Sequence, residues 1–372
     1  MTNSKDNAIF IHRFLYNIAS LTIKIFLPII IYQQTQNISL AILFASIQYV
    51  FAGLFTVLLK KFLVKKQLIS ILISILPLIL IQIMISFSSI NLILVLFLAM
   101  LTGITSPLYF IPLNIYFVKK DNKNNVAKFE VGSVVGKIVF VILNGYILGS
   151  ALDNSLFIMC SFSSIIFLIS IIPLLLNFKE INKELKETKL KSLVKVSKTL
   201  TKQNIFHLFF GFFSQALYDI LPLYLFYSQL SVESVAFVVV ITEVIKIATY
   251  YFANYLNIKN LNIINYIIGC FIIFASSIII IASNSNIVLF IIGIILGVTS
   301  PFIFVPSFGN YSKNISKKNI VSEGIIIRDF YLLFPRGIVF SIFFIFPSFL
   351  VMFSMGAVSA IAMFLTKIDH KI

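Results

Sequence analysis

Nine ionisable side chains stand inside long apolar stretches of this sequence: Lys24, Glu130, Lys137, Asp219, Glu243, Lys246, Arg328, Asp329 and Arg336. Each would cost about 2.5–3.5 kcal/mol at the middle of a bilayer, so such groups are kept paired or turned toward a wet path. Two kinds of chemistry suit them. Ion pairs between helices set register or latch one conformation, whereas groups on a path contact a charged solute or relay a proton. Both readings stay open for the set. Five of the nine are cations and four are anions, and adding the flanking Arg13 and Glu323 leaves the excess at one.

Spacing sorts them. Glu243 and Lys246 are three apart, hence on one helix face and within pairing reach. Glu130 and Lys137 are seven apart, as are Asp329 and Arg336. Two helical turns return to nearly the same face about 10 Å along the axis, so these groups are expected to seek partners on other helices. Both sets fall in corresponding stretches, each base shortly before the string Ile-Val-Phe, so an acid–base face recurs. Glu130, nearest the end of its stretch, is also placed to snorkel. Lys24 and Asp219 lie at nearly equivalent depths, where they are expected to face one another. Asp219 is the first candidate for a protonatable carboxylate, because burial favours the neutral form. Arg13, Arg328 and Arg336 are the only arginines and all lie in apolar stretches, which suggests that these positions need a planar guanidinium for bidentate pairing.

Other site chemistry is missing from the sequence. There is no Walker loop or dinucleotide glycine pattern, and no clustered nucleophile or carboxylate pair suggests an enzyme. His12, His207 and His370 have no partner at metal-ligand spacing and are read as interfacial. Cys160 and Cys270 are read as small apolar fillers. No metal and no cofactor is expected, although proton or sodium coupling is compatible with the intramembrane charges.

The elements that must position these groups are membrane helices. The chain of 372 residues is 59% hydrophobic and 11% charged, with a mean hydropathy of +1.04 and 40 Phe. A soluble domain of that size needs more charge to cover its surface. A span needs about 20 apolar residues. Stretches of that order fall at 10–32, 39–59, 67–87, 91–118, 126–148, 156–178, 205–227, 232–256, 261–283, 287–310, 322–346 and 348–364. An all-α protein with twelve transmembrane helices is therefore expected. The first stretch is too long for a cleavable signal and no small-residue cleavage site follows it. The net charge of +16 argues for nucleic acid only until its distribution is read. Most lysines sit in alternate connections (60–66, 119–128, 179–202, 259, 313–318 and 367–371), and the intervening loops carry none. That is the positive-inside pattern, which places both termini in the cytoplasm and makes anionic inner-leaflet lipids, not nucleic acid, the expected partner.

The chain also repeats itself. Gly103–Pro112 reads GITSPLYFIP and Gly297–Pro306 reads GVTSPFIFVP, 194 residues later. The offset also pairs Pro28 with Pro222. Residues 1–178 and 205–372 are thus expected to form two six-helix bundles, with 179–204 as a basic cytoplasmic linker, a solvated tether or a helix on the inner leaflet. Pro28, Pro107, Pro112, Pro222, Pro301 and Pro306 are helix-bend candidates. Thr105, Ser106, Thr299 and Ser300 are placed either to satisfy the carbonyls those prolines free or to face solute. Small residues four apart (Ala99/Gly103, Gly293/Gly297, Gly132/Gly136, Gly356/Ala360) read as packing seams.

On these features the chain resembles the major facilitator superfamily over essentially its whole length. The loop GLFTVLLKKFLVKKQ keeps the basic cluster Lys60, Lys61, Lys65 and Lys66 but has Gly53 too early and no Asp. Gly103 stands where the proton-coupled members have Gly, but Ala99 occupies their Arg position. Gly132, Gly136 and Gly145 echo the antiporter motif without its proline. The Gly-x-x-x-Pro phrase followed by a basic loop is similar to the bacterial macrolide-efflux branch. The resemblance implies that spans one, four, seven and ten line a path between the bundles. Lys24, Thr105, Ser106, Tyr109, Gln215, Tyr218, Asp219, Thr299 and Ser300 would then face solute or protons. Glu130, Lys137, Glu243, Lys246, Arg328, Asp329 and Arg336 would be latches between rocking halves. The expectation is a monomeric multi-pass permease of the bacterial inner membrane, not an enzyme, exporting a small molecule. The alternatives are import of an anionic metabolite or a non-transporting sensor or immunity protein on the same scaffold.

Overall fold

The computed structural model describes residues 4–120, 123–150, 154–185, 190–212, 216–258, 262–282, 286–346 and 348–365. Among these residues there are helices and connections but no strand. The first bundle begins with α1 (Ser4–Leu21), which passes through a π-helical turn (Thr22–Phe26) into α2 (Leu27–Thr35). It continues with α3 (Ile38–Leu58), α4 (Lys60–Lys65), α5 (Gln67–Ile73), α6 (Ile75–Phe87), α7 (Leu92–Lys119), α8 (Lys123–Gly149) and α9 (Ser155–Leu176). Short helices α10 (Phe178–Leu185) and α11 (Leu193–Thr199) form the connection. The second bundle holds α12 (Thr201–Phe210), α13 (Ala216–Tyr227), α14 (Val232–Ile258), α15 (Asn262–Ala282), α16 (Asn286–Lys317), α17 (Val321–Ile345) and α18 (Phe349–Leu365).

Among the described residues six helical stretches are long and apolar enough to cross a membrane: Asp6–Thr35, Ile38–Leu58, Gln67–Phe87, Leu92–Lys119, Ser155–Leu176 and Val232–Phe252. Large apolar side chains such as Leu76, Phe87, Ile93 and Leu176 remain on the outer surface, which suits a lipid solvent. Asn37 and Asn91 start α3 and α7 by accepting hydrogen bonds from the Ser39 and Leu94 amides, both at 2.9 Å, so polar residues mark where the apolar runs begin.

The bundles share an internal plan. In the first, α3 packs along α7; in the second, α14 packs along α16. The halves meet along two helix pairs, α3 with α17 and α8 with α14. At Gly337 the approach is so close that a Cβ would lie 2.6 Å from the Val50 amide nitrogen. Ser46 Oγ lies 2.6 Å from Ser341 Oγ beside it.

Val196 and Leu200, at the end of the connection, are buried in an apolar cluster with Leu63, Val64 and Ile115 of the first half and Ile315 and Ile326 of the second. The segment is fastened there. The Lys191 amide donates to Glu323, Lys191 Nζ donates to the Asn319 carbonyl at 3.0 Å, and Asn314 donates to Gln203 at 3.0 Å. This part of the connection is packed between both halves and is not the solvated tether expected from its lysines. Its lysines point outward, as does Val194, while Val196 and Leu200 point in. At the opposite end of the bundle the Tyr32 ring meets Phe226 and Tyr227 across the halves, with centroids 6.0 and 5.8 Å apart.

Candidate functional site

Lys24 is the charged residue of the π-turn. A π-turn inserts one extra residue into a helix and leaves a carbonyl without its usual partner. Here buried polar side chains from two other helices hold it. Thr22 Oγ1 donates to Ser163 Oγ at 3.0 Å, Ser163 Oγ donates to the Ala19 carbonyl at 2.7 Å, and Asn144 Nδ2 donates to Thr22 Oγ1 at 3.1 Å. Thr22, Asn144 and Ser163 are all buried. The turn's next residues, Ile23 and Phe26, are packed in the core, whereas Lys24 is exposed, its ammonium 5.0 Å above the Phe110 ring of α7.

Opposite it, α14 presents Glu243 and Lys246 as an ion pair one turn apart, as their spacing predicted. The Lys137 ammonium of α8 reaches across from the first half to within 3.9 Å of Glu243 Oε2. The field of Lys24 also acts on Glu243. A carboxylate of the second half is thus paired with one lysine of its own helix and one of the first half. All three paired side chains are mostly buried (18–19% exposed), so water screens them little. Glu243 Oε2 is enclosed and accepts no hydrogen bond among the described residues.

A second charged group lies along α17. Arg328 pairs with its neighbour Asp329 at 3.5 Å, and Asp329 takes a hydrogen bond from Asn114 of α7 in the first half. Asp329 thus finds partners both on its own helix and across the halves. Arg336 stands 5.0 Å over the Tyr49 ring of α3, Arg328 4.5 Å over Phe308, and Arg13 4.9 Å over Phe117. Every arginine therefore lies over an aromatic face. The planar cation suits these positions for stacking at least as much as for the bidentate pairing expected.

Other expected site residues are placed as follows. Tyr109 is wholly buried within the first bundle, its ring stacked on Tyr16 at 3.4 Å, and does not face a path. Thr105 is buried and donates to the Thr102 carbonyl three residues back at 2.7 Å. Thr299 is fully buried and Ser106 half-buried. Pro107 and Pro112 lie inside the continuous α7, and Pro222 inside α13. Pro28 lies in the first turn of α2, just after the π-turn, and Pro301 is buried inside α16. The carbonyl that Pro112 frees, Leu108, accepts from Ser70 Oγ of α5 at 2.8 Å, so a neighbouring helix does what the threonines were expected to do. His12 and His207 are buried and not interfacial. His12 Nδ1 lies 2.8 Å from the Ser170 carbonyl, and His207 packs edge-on against Tyr311. Cys160 and Cys270 are buried free thiols. Gln215 and the side chains of Glu130, Tyr218, Asp219, Ser300 and Pro306 lie outside the described residues. Asn144, Ser163 and Tyr49 were not singled out from the sequence. Asn144 alone offered a signal, an amide within the apolar run 126–148.

Comparison with known proteins agrees with this architecture. No curated protein sequence matches the chain. Solved structures share its fold at low sequence identity. A bacterial homologue of the iron transporter ferroportin, in an outward-facing state, aligns with a TM-score of 0.69 at 13% identity, covering 97% of each chain. The nucleoside transporter NupG aligns at 0.66 and 12%, covering 99% of this chain and 100% of its own. A D-xylose–proton symporter aligns at 0.68 and 14%, covering 99% and 98%. A sequence profile described as Major Facilitator Superfamily matches residues 8–322. The chain, with its two helical bundles meeting along paired helices, belongs to the Major Facilitator Superfamily.

Proposed function

We propose that this protein is a secondary transporter that moves a small solute across the bacterial inner membrane by rocking its two halves. In this reading the polypeptide crosses the bilayer twelve times, keeps both termini in the cytoplasm, acts as a monomer and does no covalent chemistry. The observation that carries it is the Lys137–Glu243 contact beside Lys24. Mostly buried opposite charges belonging to different halves have no structural economy in a rigid scaffold, since apolar contacts would join the halves without desolvating ions. They suit an interface that opens, because ionic partners can be exchanged when the halves move. Contacts between halves at both ends of the bundle supply the two gates that alternating access needs. Outward export is the direction favoured, on the similarity of the Gly103–Pro107 phrase to macrolide exporters.

The test is flux through a lockable protein. Ser46→Cys with Ser341→Cys places two thiols where two hydroxyls now touch. Purified protein in proteoliposomes is loaded with a bacterial metabolite extract, and loss of individual compounds is followed by mass spectrometry. At least one compound should leave with the reduced protein and stop leaving when the pair is oxidised. A leak profile identical to empty liposomes, or unaffected by the lock, would favour a sensor or immunity scaffold.

A further inference from the structure

We infer that α11 is a wedge in the cytoplasmic gate that belongs to the second half. When the halves part at that end, α11 leaves with α12, α16 and α17, and the chain bends between α10 and α11. This rests on the rocking described above and names the surfaces that separate.

The sequence of α11 suits a wedge. In LVKVSKTL (193–200) the apolar residues Leu193, Val196 and Leu200 recur at helical spacing and form one face, while Lys195 and Lys198 are exposed. Seven residues are too few to hold a helix in water, so the partners of α11 decide where it stands.

Those partners differ in kind on the two sides. Toward the second half they are hydrogen bonds. The Lys191 amide donates to Glu323, and Lys191 Nζ donates to the Asn319 carbonyl. Lys318 Nζ donates to the Thr199 carbonyl at 3.5 Å, and Asn204 Nδ2 donates to the Ser197 carbonyl and hydroxyl oxygens, both at 3.1 Å. Among the described residues, every hydrogen bond that leaves 191–199 ends on this half. Toward the first half the meeting is apolar. Val196 shares its cluster with Leu63 and Val64 of α4 and with Ile111 and Ile115 of α7.

Apolar faces attract without direction and part without leaving a polar group bare. Pulling α11 off α17 would instead take a backbone amide from Glu323, a carboxylate only 5% exposed, and a buried charge left unmatched is the costlier loss. The seam that yields therefore runs between α11 and the first half. Helix α10 has the opposite allegiance: Ile181 is buried, and α10 packs against α5 and α9 of the first half. One connection is thus divided between two bodies, and the bend falls between Leu185 and Lys191.

Spin-label distances test this in full-length protein carrying Cys160→Ala and Cys270→Ala, held in lipid nanodiscs. Lys61, Lys195 and Lys317, all exposed, are changed to Cys in pairs and labelled. The pair 61–317 reads one half against the other. The pair 195–317 reads α11 against the second half, and 61–195 reads it against the first. Val64→Asn makes the first-half face polar and raises the share of protein open to the cytoplasm; Ile115→Asn takes its place where Val64→Asn does not fold. With either, 61–317 and 61–195 should gain a longer distance in the same proportion, while 195–317 keeps a single one. Adding Glu323→Ala and Asn204→Ala should then spread 195–317 over several distances. A longer 195–317 distance with 61–195 unchanged would assign α11 to the first half, and lengthening of both would mean that it falls away from both. Either result overturns the inference. One distance throughout for 61–317 would sink the rocking itself and the wedge with it, whereas two distances without flux of any compound would count against transport alone.

Discussion

Gly103 sits so close to Gln48 that a Cβ on the glycine would lie 2.7 Å from the Gln48 carbonyl oxygen. In the second bundle a Cβ on Gly297 would lie 2.6 Å from the Thr242 carbonyl oxygen. The glycines are 297 − 103 = 194 residues apart and their partners 242 − 48 = 194, so the repeated phrase marks one helix–helix contact built twice. Backbone carbonyls cannot move aside as side-chain ends can. Gly103→Ala and Gly297→Ala should each destabilise by about 1–3 kcal/mol, the range for overpacking a tight contact. Gly309, with nothing within 4 Å of its added Cβ, should tolerate alanine. Thermal unfolding in detergent compares the three.

Glu243 should be worth more as a charge than as a contact. Glu243→Gln leaves Lys137 and Lys246 facing each other in a mostly buried place, an arrangement expected to cost about 3–5 kcal/mol. Exchanging the ions as Lys137→Met with Glu243→Met should cost less than Glu243→Met alone. A double-mutant cycle on unfolding free energy measures the difference; strict additivity would show that the 3.9 Å contact carries no coupling.

Arg336 is expected to need its plane. Arg336→Lys keeps the charge yet loses the broad stacking face over Tyr49, and should cost about 0.5–2 kcal/mol. Tyr49→Phe preserves a ring and should be nearly silent, whereas Tyr49→Leu should match the arginine substitution. Equal stability of all three variants would assign the guanidinium some other partner.

The packed connection should behave as part of the bundle. Val196→Ser or Leu200→Ser removes an apolar plug from the cluster joining both halves, and should cost about 1–3 kcal/mol. Hydrogen exchange should accelerate first in 190–203 and around Leu63, Val64 and Ile326. Exchange confined to the connection itself would mean that it rides on the surface.

Much of the frame could be read from residue order, because its signals are local or periodic. Lipid demands unbroken apolar runs, duplication preserves an offset, and a helix brings residues three apart together, as Glu243 and Lys246 are. What stayed hidden depended on partners far away in the chain. Nothing in the run 10–32 announces a π-turn, because its cause is Asn144 and Ser163 on other helices. The histidines looked interfacial because each stands near the end of an apolar run. Burial of His12 follows from the Ser170 carbonyl and the Tyr16–Tyr109 stack, neither visible in its neighbours. Pro112 signalled a freed carbonyl but not which helix would supply Ser70.

The stitching of residues 191–203 onto Glu323, Asn319 and Asn314 determines where the polypeptide tolerates a break. Of two separately translated pieces, a second that began ahead of Lys191 would bring its own clasp. A scission a dozen residues later would turn the same hydrogen bonds into contacts between the pieces, made only once they have met.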